Sequence, residues 1–351
     1  VSRESALRGM LRGRPEVGPA TVHIDLTNAC NAACVTCWDH SPLLTVPRSR
    51  AWKRRALASD VVRGLLDELA ELGSVRRVVL SGMGDPLVHP DAHDLLEATV
   101  ARGFAVTLMT NLLAADIERV AASGVDTILA SVQGVTPATY AAFHPGWTEE
   151  HFFTLCRYLR VLARAGVRTK HVQVIDRDTA EELVPMVRFG ARFRAARVNF
   201  KLASLTAGTE ACGITEAQRD RLLAEDVPAA REAARALGVT TNLDLFERQL
   251  RAARGDLRAT VPIEDVGCWM GFVYTRVTAE QDVLYCCNTE VRVGSLKEAS
   301  FAELWAGPRW QTLRDRLGRG EYYPGCARCG KFEQNAKWAE RVAGARAKVA
   351  T

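Results

Sequence analysis

The sequence predicts an α/β protein, a partial barrel of six β-α units followed by a small cysteine-rich C-terminal domain. Three observations predict it. Six short β-rich runs alternate with amphipathic helical stretches from Thr21 onward. Three cysteines follow the first run directly, and a second cysteine group appears near the C-terminus, beyond a mostly helical stretch. Serial β-α alternation implies a parallel sheet with right-handed crossovers, and six units suffice for a partial barrel.

With 351 residues the chain can fill one large domain and a smaller one. Its 48% hydrophobic and 25% charged residues are ordinary for a globular protein. The net charge of +5 is small and its basic residues are scattered, which gives no argument for nucleic acid. No run approaches a membrane span. The Arg-rich N-terminus lacks the apolar core of a secretion signal, so the cytoplasm is the expected compartment. Ten cysteines could read as a disulfide framework, but that suits small secreted chains. In a reducing compartment, clustered cysteines bind metal.

Taken in order, residues 1–19 hold several Gly, Pro and Arg and read as a loosely ordered extension. The barrel is expected over residues 20–204, with strands at 22–26, 77–81, 105–110, 127–131, 169–175 and 197–202. Between them lie helices such as 60–72, closed by Gly73, and 149–165, opened by Thr148 and closed by Gly166. Residues 205–265 form a helical linker, with helices at 216–223, 229–237 and 245–254. The second cysteine domain spans 266–335. It should hold a hairpin of strands 272–277 and 283–286, then a helix from Phe301 through Arg316. A charged helical tail covers 336–351.

The chemistry concentrates at strand ends, where α/β barrels bind ligands. Cys30, Cys34 and Cys37, spaced C-x3-C-x2-C, can wrap one loop around a cubane iron–sulfur cluster. Such a cluster takes four thiolates, so one iron is left for a non-protein ligand. Structural zinc is the alternative, and Asp39 or His40 would have to complete its four ligands. Strand two runs into Ser81-Gly82-Met83-Gly84-Asp85-Pro86, strand three into Thr110-Asn111, and strand four into Ser131-Val132-Gln133-Gly134. Any one of these is explained as a turn; their concurrence is not. Strand alternation puts Val198, Phe200 and Leu202 against helices and points Asn199 and Lys201 into the barrel. The same reasoning points His171 and Gln173 inward and Val172 and Val174 outward. Lys201 then faces a ligand, unless it emerges into solvent at the strand end.

Cys268, Cys286-Cys287, Cys326 and Cys329 come from three separated segments and suit a closed tetrathiolate site, with iron–sulfur or zinc chemistry. Adjacent strand residues point to opposite faces, so one of Cys286 and Cys287 is the ligand. Spacing favours Cys286. Cys287 is then a small buried hydrophobe or a hydrogen-atom donor.

The stretch His23-Ile24-Asp25-Leu26-Thr27-Asn28 with the cysteines through Trp38 resembles the signature loop of the radical S-adenosylmethionine (SAM) superfamily. That resemblance implies a six-stranded partial barrel, a [4Fe-4S] cluster whose open iron binds SAM, and reductive cleavage of SAM to a deoxyadenosyl radical that abstracts hydrogen. The position before the last cysteine is usually aromatic in that family; here it is Thr36, and Trp38 is the other candidate for the adenine contact. Met83-Gly84-Asp85-Pro86 resembles the family's Gly-Gly-Glu-Pro motif, whose backbone meets the SAM amino group. Ser131 and Gln133 resemble its ribose or carboxylate contacts, and Asn111 the polar residue closing strand three. The C-terminal cysteines resemble the SPASM/twitch extension. With only Gly330-Lys331-Phe332 and the tail after Cys329, the one-cluster twitch pattern is expected. The resemblance implies two [4Fe-4S] clusters, SAM and a flavodoxin- or ferredoxin-type electron donor. Among its members, the twitch-type aminocyclitol dehydrogenases of natural-product biosynthesis are the closest analogy. They oxidise a secondary alcohol of a small molecule and use the auxiliary cluster as electron acceptor. Lys201 and Cys287 are the expected catalytic residues. The alternatives are a sugar epimerase, in which Cys287 would donate hydrogen, a decarboxylase, a crosslinking peptide maturase, and a metal-stabilised binding module without catalysis. The twenty-odd residues ahead of strand one leave no room for the peptide-recognition domain that such maturases usually carry.

Overall fold

Alternate Val, Ile and Leu give each short run one apolar face, which a strand must bury under helices. The computed structural model describes residues 3–252 and 263–350. Six strands form its parallel partial barrel: β1 (Thr21–Thr27), β2 (Arg77–Gly82), β3 (Ala105–Thr110), β4 (Thr127–Ser131), β5 (Thr169–Ile175) and β6 (Arg197–Leu202). They lie side by side in sequence order. Bounds of β3 to β6 agree with the sequence expectation; β1 and β2 run slightly longer. Val22, Ile24, Val78, Leu80, Val106 and Leu108 pack beneath helices such as Ser59–Glu71, whose buried stripe is Val62, Leu65, Leu66 and Leu69.

Three more strands extend the same sheet: β7 (Tyr274–Val277), β8 (Asp282–Leu284) and β9 (Arg292–Ser295). β7 pairs parallel with β1, Thr21 opposite Tyr274 and Ile24 opposite Val277, while β7, β8 and β9 are antiparallel. The cysteine-bearing hairpin is thus continuous with the barrel sheet, and it is shorter than expected. β9 escaped the sequence reading because Gly294-Ser295 looks like a turn. Its Gly294 lies against Leu304, where a Cβ would fall 2.5 Å from a methyl carbon.

Several other expectations are corrected. The N-terminal segment is not loose: Arg3–Arg12 is helical and buries Met10. Arg8 and Arg12 both pair with Glu16, and Gln311 and Trp305 donate to the Gly13 and Val17 carbonyls. Its Arg and Gly content masked an apolar stripe of Ala6, Leu7 and Met10. Residues 216–237 form one helical run, Glu216–Arg221, a π turn Leu222–Asp226 and Val227–Leu237. The wide turn accommodates Pro228, which lacks an N–H. The next helix is Leu243–Ala252; the expected continuation to residues 253–254 lies outside the described residues. Gly307-Pro308 breaks the helix expected over 301–316 into Phe301–Ala306 and Pro308–Gly318, because the residue before proline is extended (ψ 160°). The C-terminal helix, Phe332–Ala350, begins earlier than expected. No helix among the described residues is long and apolar enough to cross a membrane.

On β5 the inside and outside are reversed relative to expectation. His171 lies beside Ala130 and Val198, and Gln173 beside Phe200, all on the helix side. His171 packs on Phe189 of the helix Leu183–Arg192. Val172, opposite Asn199, lines the interior instead. Polarity alternates on this strand, yet the neighbouring strands set the phase. Four side-chain atoms of His171 and Gln173 are consequently buried without hydrogen-bond partners, and burial lowers the His171 pKa to about 4.

The inner face of β1 is polar and tied to β7. Asp25, fully buried, pairs with Arg276 (Nε–Oδ2 2.6 Å) and accepts from Ser81 Oγ (3.0 Å). His23 Nε2 bonds Ser81 Oγ, and Tyr274 OH bonds His23 Nδ1 (2.9 Å). With the Ser81 proton given to Asp25, His23 donates to Ser81 and accepts from Tyr274. Burial alone would raise the Asp25 pKa; the Arg276 charge and hydrogen bonds outweigh it and hold the carboxyl well below the usual range. Burial lowers His23 to about 4, which keeps it neutral.

Arg276→Met should strand Asp25 and destabilise the fold by about 3–5 kcal/mol at neutral pH, measured by guanidinium denaturation. Asp25 has a folded pKa below its unfolded one, so its stabilisation is complete above about pH 5 and is lost as pH falls. The wild-type advantage should narrow on acidification. An advantage that stayed constant down to about pH 3 would rule the pair out as its source.

Candidate active site

β1 delivers the chain at Thr27 into an irregular loop bearing Cys30, Cys34 and Cys37. The loop backbone is pinned from several sides. Asn28 N–H donates to Arg55 O (2.8 Å), and the Asn28 side chain donates to Glu280 at the β7–β8 turn (2.7 Å). Val35 N–H donates to Phe143 O (3.0 Å), and the Trp147 indole to Asn31 O (3.2 Å). Burial raises all three thiol pKa values, Cys30 to about 11, and the nearness of Cys37 adds to the rise at Cys30 and Cys34. Such thiols ionise once a metal compensates their charge. Asp39 is taken by Arg48 (2.7 Å) and His40 Nε2 by Asn28 O (2.8 Å), so neither is offered to complete a zinc set. His40 N–H points at Cys37 Sγ (3.3 Å), a contact that suits a cluster thiolate. The donor set, three thiols and no fourth ligand, fits a cubane with one open iron. Among the described residues no three His, Cys, Asp or Glu side chains converge on a single-ion point.

The other strand ends close on this loop. Gly84 and Asp85 N–H groups donate to Thr27 O (3.3 Å) and Ala29 O (2.9 Å). Only glycine fits at 84, since a Cβ there would lie 1.8 Å from Ala29 O. The Asp85 carboxylate turns into the protein, accepting from Leu87 N (3.0 Å), Thr110 Oγ1 (2.9 Å) and Asn111 N (2.7 Å). Asp85 therefore tethers β2 to β3, and Pro86 is buried at the start of the short 3-10 turn that follows. The Asn111 and Asn31 amides bond each other (2.8 and 3.4 Å). Gln133 is buried with Oε1 unpartnered, and Ser131 is partly exposed at the end of β4. Thr36 is buried; Trp38 is 48% exposed and its indole bonds Ser204 O.

A cavity of about 540 Å³ runs from Trp38 and Met83, past Asn199 and Lys201 on β6, to Cys268, Cys286, Cys287, Cys326 and Cys329. Lys201 lines it and is exposed, while Val198, Phe200 and Leu202 of the same strand are buried. Cys268 precedes the turn Met270–Phe272, the Cys286-Cys287 pair follows β8, and Cys326 and Cys329 flank the end of the turn Pro324–Arg328. Amide donors surround their sulfurs: Asn288 N–H to Cys286 (3.4 Å), Asn288 Nδ2 to Cys326 (3.8 Å) and Asn335 Nδ2 to Cys329 (3.6 Å). Burial raises Cys268 to about 12 and Cys329 to about 11. Cys287 moves the other way: a hydrogen bond from Cys286, then the charges of Lys331, Arg276 and Lys201, favour its thiolate. It acts electrostatically on Cys268, Cys326 and Cys329. Both members of the pair thus lie beside the set, whose thiols and N–H donors fit a tetrathiolate cluster.

Sequence reasoning missed Arg276, Lys331, Asn288 and Asn335. Arg276 had a signal, since it alternates with Tyr274 on a strand whose other residues are apolar or small. Lys331 and Asn288 come from irregular segments, whose side-chain directions carry no period, and Asn335 from the first turns of the helix Phe332–Ala350.

The Radical SAM superfamily model matches residues 24–190, and that of the SPASM iron–sulfur cluster-binding domain matches 268–330. The AdoMet-dependent heme synthase of Methanosarcina barkeri is 26% identical over 330 residues, covering 89% of this chain and 91% of that protein. The PqqA peptide cyclase of Ruegeria pomeroyi is 33% identical over 122 residues, 34% of this chain and 30% of that one. Among solved structures, anSMEcpe with bound AdoMet superposes with a TM-score of 0.65 at 13% identity, covering 94% of both chains. Streptococcus suis SuiB bound to S-adenosylmethionine gives 0.63 at 18%, covering 84% of this chain and 68% of SuiB. These two share the fold. The chain's cofactors are accordingly [4Fe-4S] clusters and SAM, and it belongs to the radical SAM superfamily, with a SPASM domain at its C-terminal end.

Proposed function

We propose that this radical SAM enzyme oxidises a small hydroxylated molecule, of the sugar or aminocyclitol type, converting a secondary alcohol to a ketone. The carrying observation is the single cavity that joins the surroundings of the first cysteine loop to the second cysteine set. When bound, the first cluster and SAM would supply a hydrogen-abstracting radical, and the second cluster a one-electron acceptor. The balance is then complete: the carbinol carbon loses a hydrogen atom, its oxygen a proton, and the remaining electron passes to the acceptor.

The protein's own contribution is placement. Cys30, Cys34 and Cys37 hold the first cluster, and Cys268, Cys286, Cys326 and Cys329 the second. Met83 to Pro86, Asn111, Ser131 and Gln133 shape the SAM site, with Thr36 and Trp38 at its adenine end. Met83 and Val172 give the cavity an apolar wall that excludes water from a radical. The electron enters from a flavodoxin- or ferredoxin-type donor. A second reading follows from the near full-length similarity to the heme synthase, which makes a tetrapyrrole a rival occupant of the cavity. The peptide cyclase and the SuiB complex with its precursor peptide make a peptide side chain another.

Anaerobic reconstitution should give about two cubane clusters per chain, and incubation with SAM and reductant should give deoxyadenosine. Replacing Cys30, Cys34 and Cys37 with Ala should abolish that product; undiminished formation would sink the assignment. Replacing the four C-terminal cysteines should leave SAM cleavage intact while ketone falls sharply. An inverted centre lost in Cys287→Ala would mark an epimerase instead, and zinc without iron in the C-terminal site would remove the acceptor.

Asn335→Ala removes one N–H···S contact, and such contacts stabilise a reduced cluster. Its second-cluster midpoint potential should shift to more negative values in spectroelectrochemical titration, with the first cluster unmoved. An unchanged potential would separate Asn335 from the cluster.

A further inference from the structure

The cavity wall carries an electrostatic imbalance. Lys201 enters from β6 and Lys331 from the segment just after Cys329. Both line the same cavity, the Lys201 charge acts on Lys331, and no carboxylate among the described residues lies within ion-pair distance of either. Two acids on the wall are ion-paired elsewhere, Asp39 with Arg48 (2.7 Å) and Glu333 with Lys337 (2.9 Å), and the third, Glu290, accepts the Gly325 N–H (2.9 Å) and lies toward Cys326. The third nearby cation, Arg276, is neutralised by Asp25. Lys331 lies over the Tyr274 ring (4.1 Å) and faces the Cys287 sulfur, whereas Lys201 is exposed and presents its charge to the cavity without an ion-pair partner, so an anion entering there gains from both.

We infer that the substrate is an anion, a hydroxylated molecule bearing a carboxylate or phosphoryl group that Lys201 holds with Lys331 in support. This rests on the reading of the cavity as the substrate site, and it changes the substrate class. An ammonium-bearing ring meets the same two lysines unfavourably, so the amino-substituted members of the sugar and aminocyclitol class are excluded in favour of acidic ones. The apolar Val172 and Met83 face the remainder of the molecule.

The test uses reconstituted holoenzyme saturated with SAM and four probes that differ in one group: glycerate, glycerol 3-phosphate, glycerol and 3-amino-1,2-propanediol. Ligand-observed NMR titration should show one or both anions binding at least tenfold more tightly than glycerol, and the amine no better than glycerol. The stronger anion identifies the group as carboxylate or phosphoryl. Lys201→Gln should remove most of that preference, and Lys201→Glu should transfer it to the amine. Equal affinity for all four probes overturns the inference. So does anion binding that appears only without SAM, since the lysines would then serve the SAM carboxylate, and so does a preference that survives Lys201→Gln. Deoxyadenosine is followed in the wild-type holoenzyme in parallel. Anion binding without it would keep the anion site and reject the radical reaction. The reverse result would reject the anion site alone.

Discussion

The Asp25–Arg276 pair fixes how the two halves of this protein meet. Asp25 lies two residues before the end of the strand that launches the first cysteine loop, and Arg276 on the strand that leads to the second cysteine set. Burying both charges costs several kcal/mol, and an ion pair recovers that only with good geometry and further hydrogen bonds. Here Ser81 supplies one such bond and the Met83 sulfur approaches the guanidinium (3.3 Å). The pair also sets register. A one-residue slip of β7 against β1 would turn Arg276 to the helix side and leave Asp25 alone inside. The spacing between the two cysteine sets is therefore determined by sheet pairing rather than by a flexible hinge.

The first cysteine loop is organised by the same economy of backbone contacts. Each barrel strand that ends near it contributes a different kind of tether: the β2 loop through Gly84 and Asp85 N–H groups, β3 through Asn111, and the helical segment after β4 through Phe143 O and Trp147. Ordering backbone costs roughly 1–2 kcal/mol per residue, and these bonds meet that cost before any ligand arrives. Asp85 serves this scaffold as well, because its carboxylate faces β3 and its N–H faces the loop.

What the sequence made legible follows from where side-chain period carries information. Six strands were readable because each is a short apolar run between turn residues, and Lys201 because β6 alternates cleanly between apolar and polar. β5 alternates too, but both of its residue sets are now seen to be usable on either face. Val172 suits an apolar cavity wall, and His171 and Gln173 are tolerated beneath a helix without partners. Only register with β4 and β6 decides, and register is a tertiary fact. The break at Gly307-Pro308 had a local cause and was available to reading. β9 was not, since Gly294 is selected by the Leu304 side chain packed against it. The N-terminal helix likewise depends on partners some three hundred residues away, Trp305 and Gln311. In the candidate site the cysteines were readable from spacing alone, whereas Lys331 and the two asparagines acquire meaning only from what they face.

The charges around the two cysteine sets differ in a way that bears on electron flow. Near the first set Asp85 adds to the rise that burial causes at Cys30, and at Cys37 Asp39 adds to it while Lys53 opposes it. Around the second set Lys331, Arg276 and Lys201 favour a thiolate at Cys287, Glu290 disfavours one at Cys326, and Asn288 and Asn335 supply N–H donors. Cluster potentials rise with nearby positive charge and with hydrogen bonds to sulfur. The lysines and the N–H donors would therefore raise the potential of a cluster held by the second set. Under the proposed oxidation, such a cluster stands where it can accept the electron left on a substrate radical. These residues stand on β6, β7, the C-terminal turn and the helix after it, so their influence is present before SAM or substrate binds.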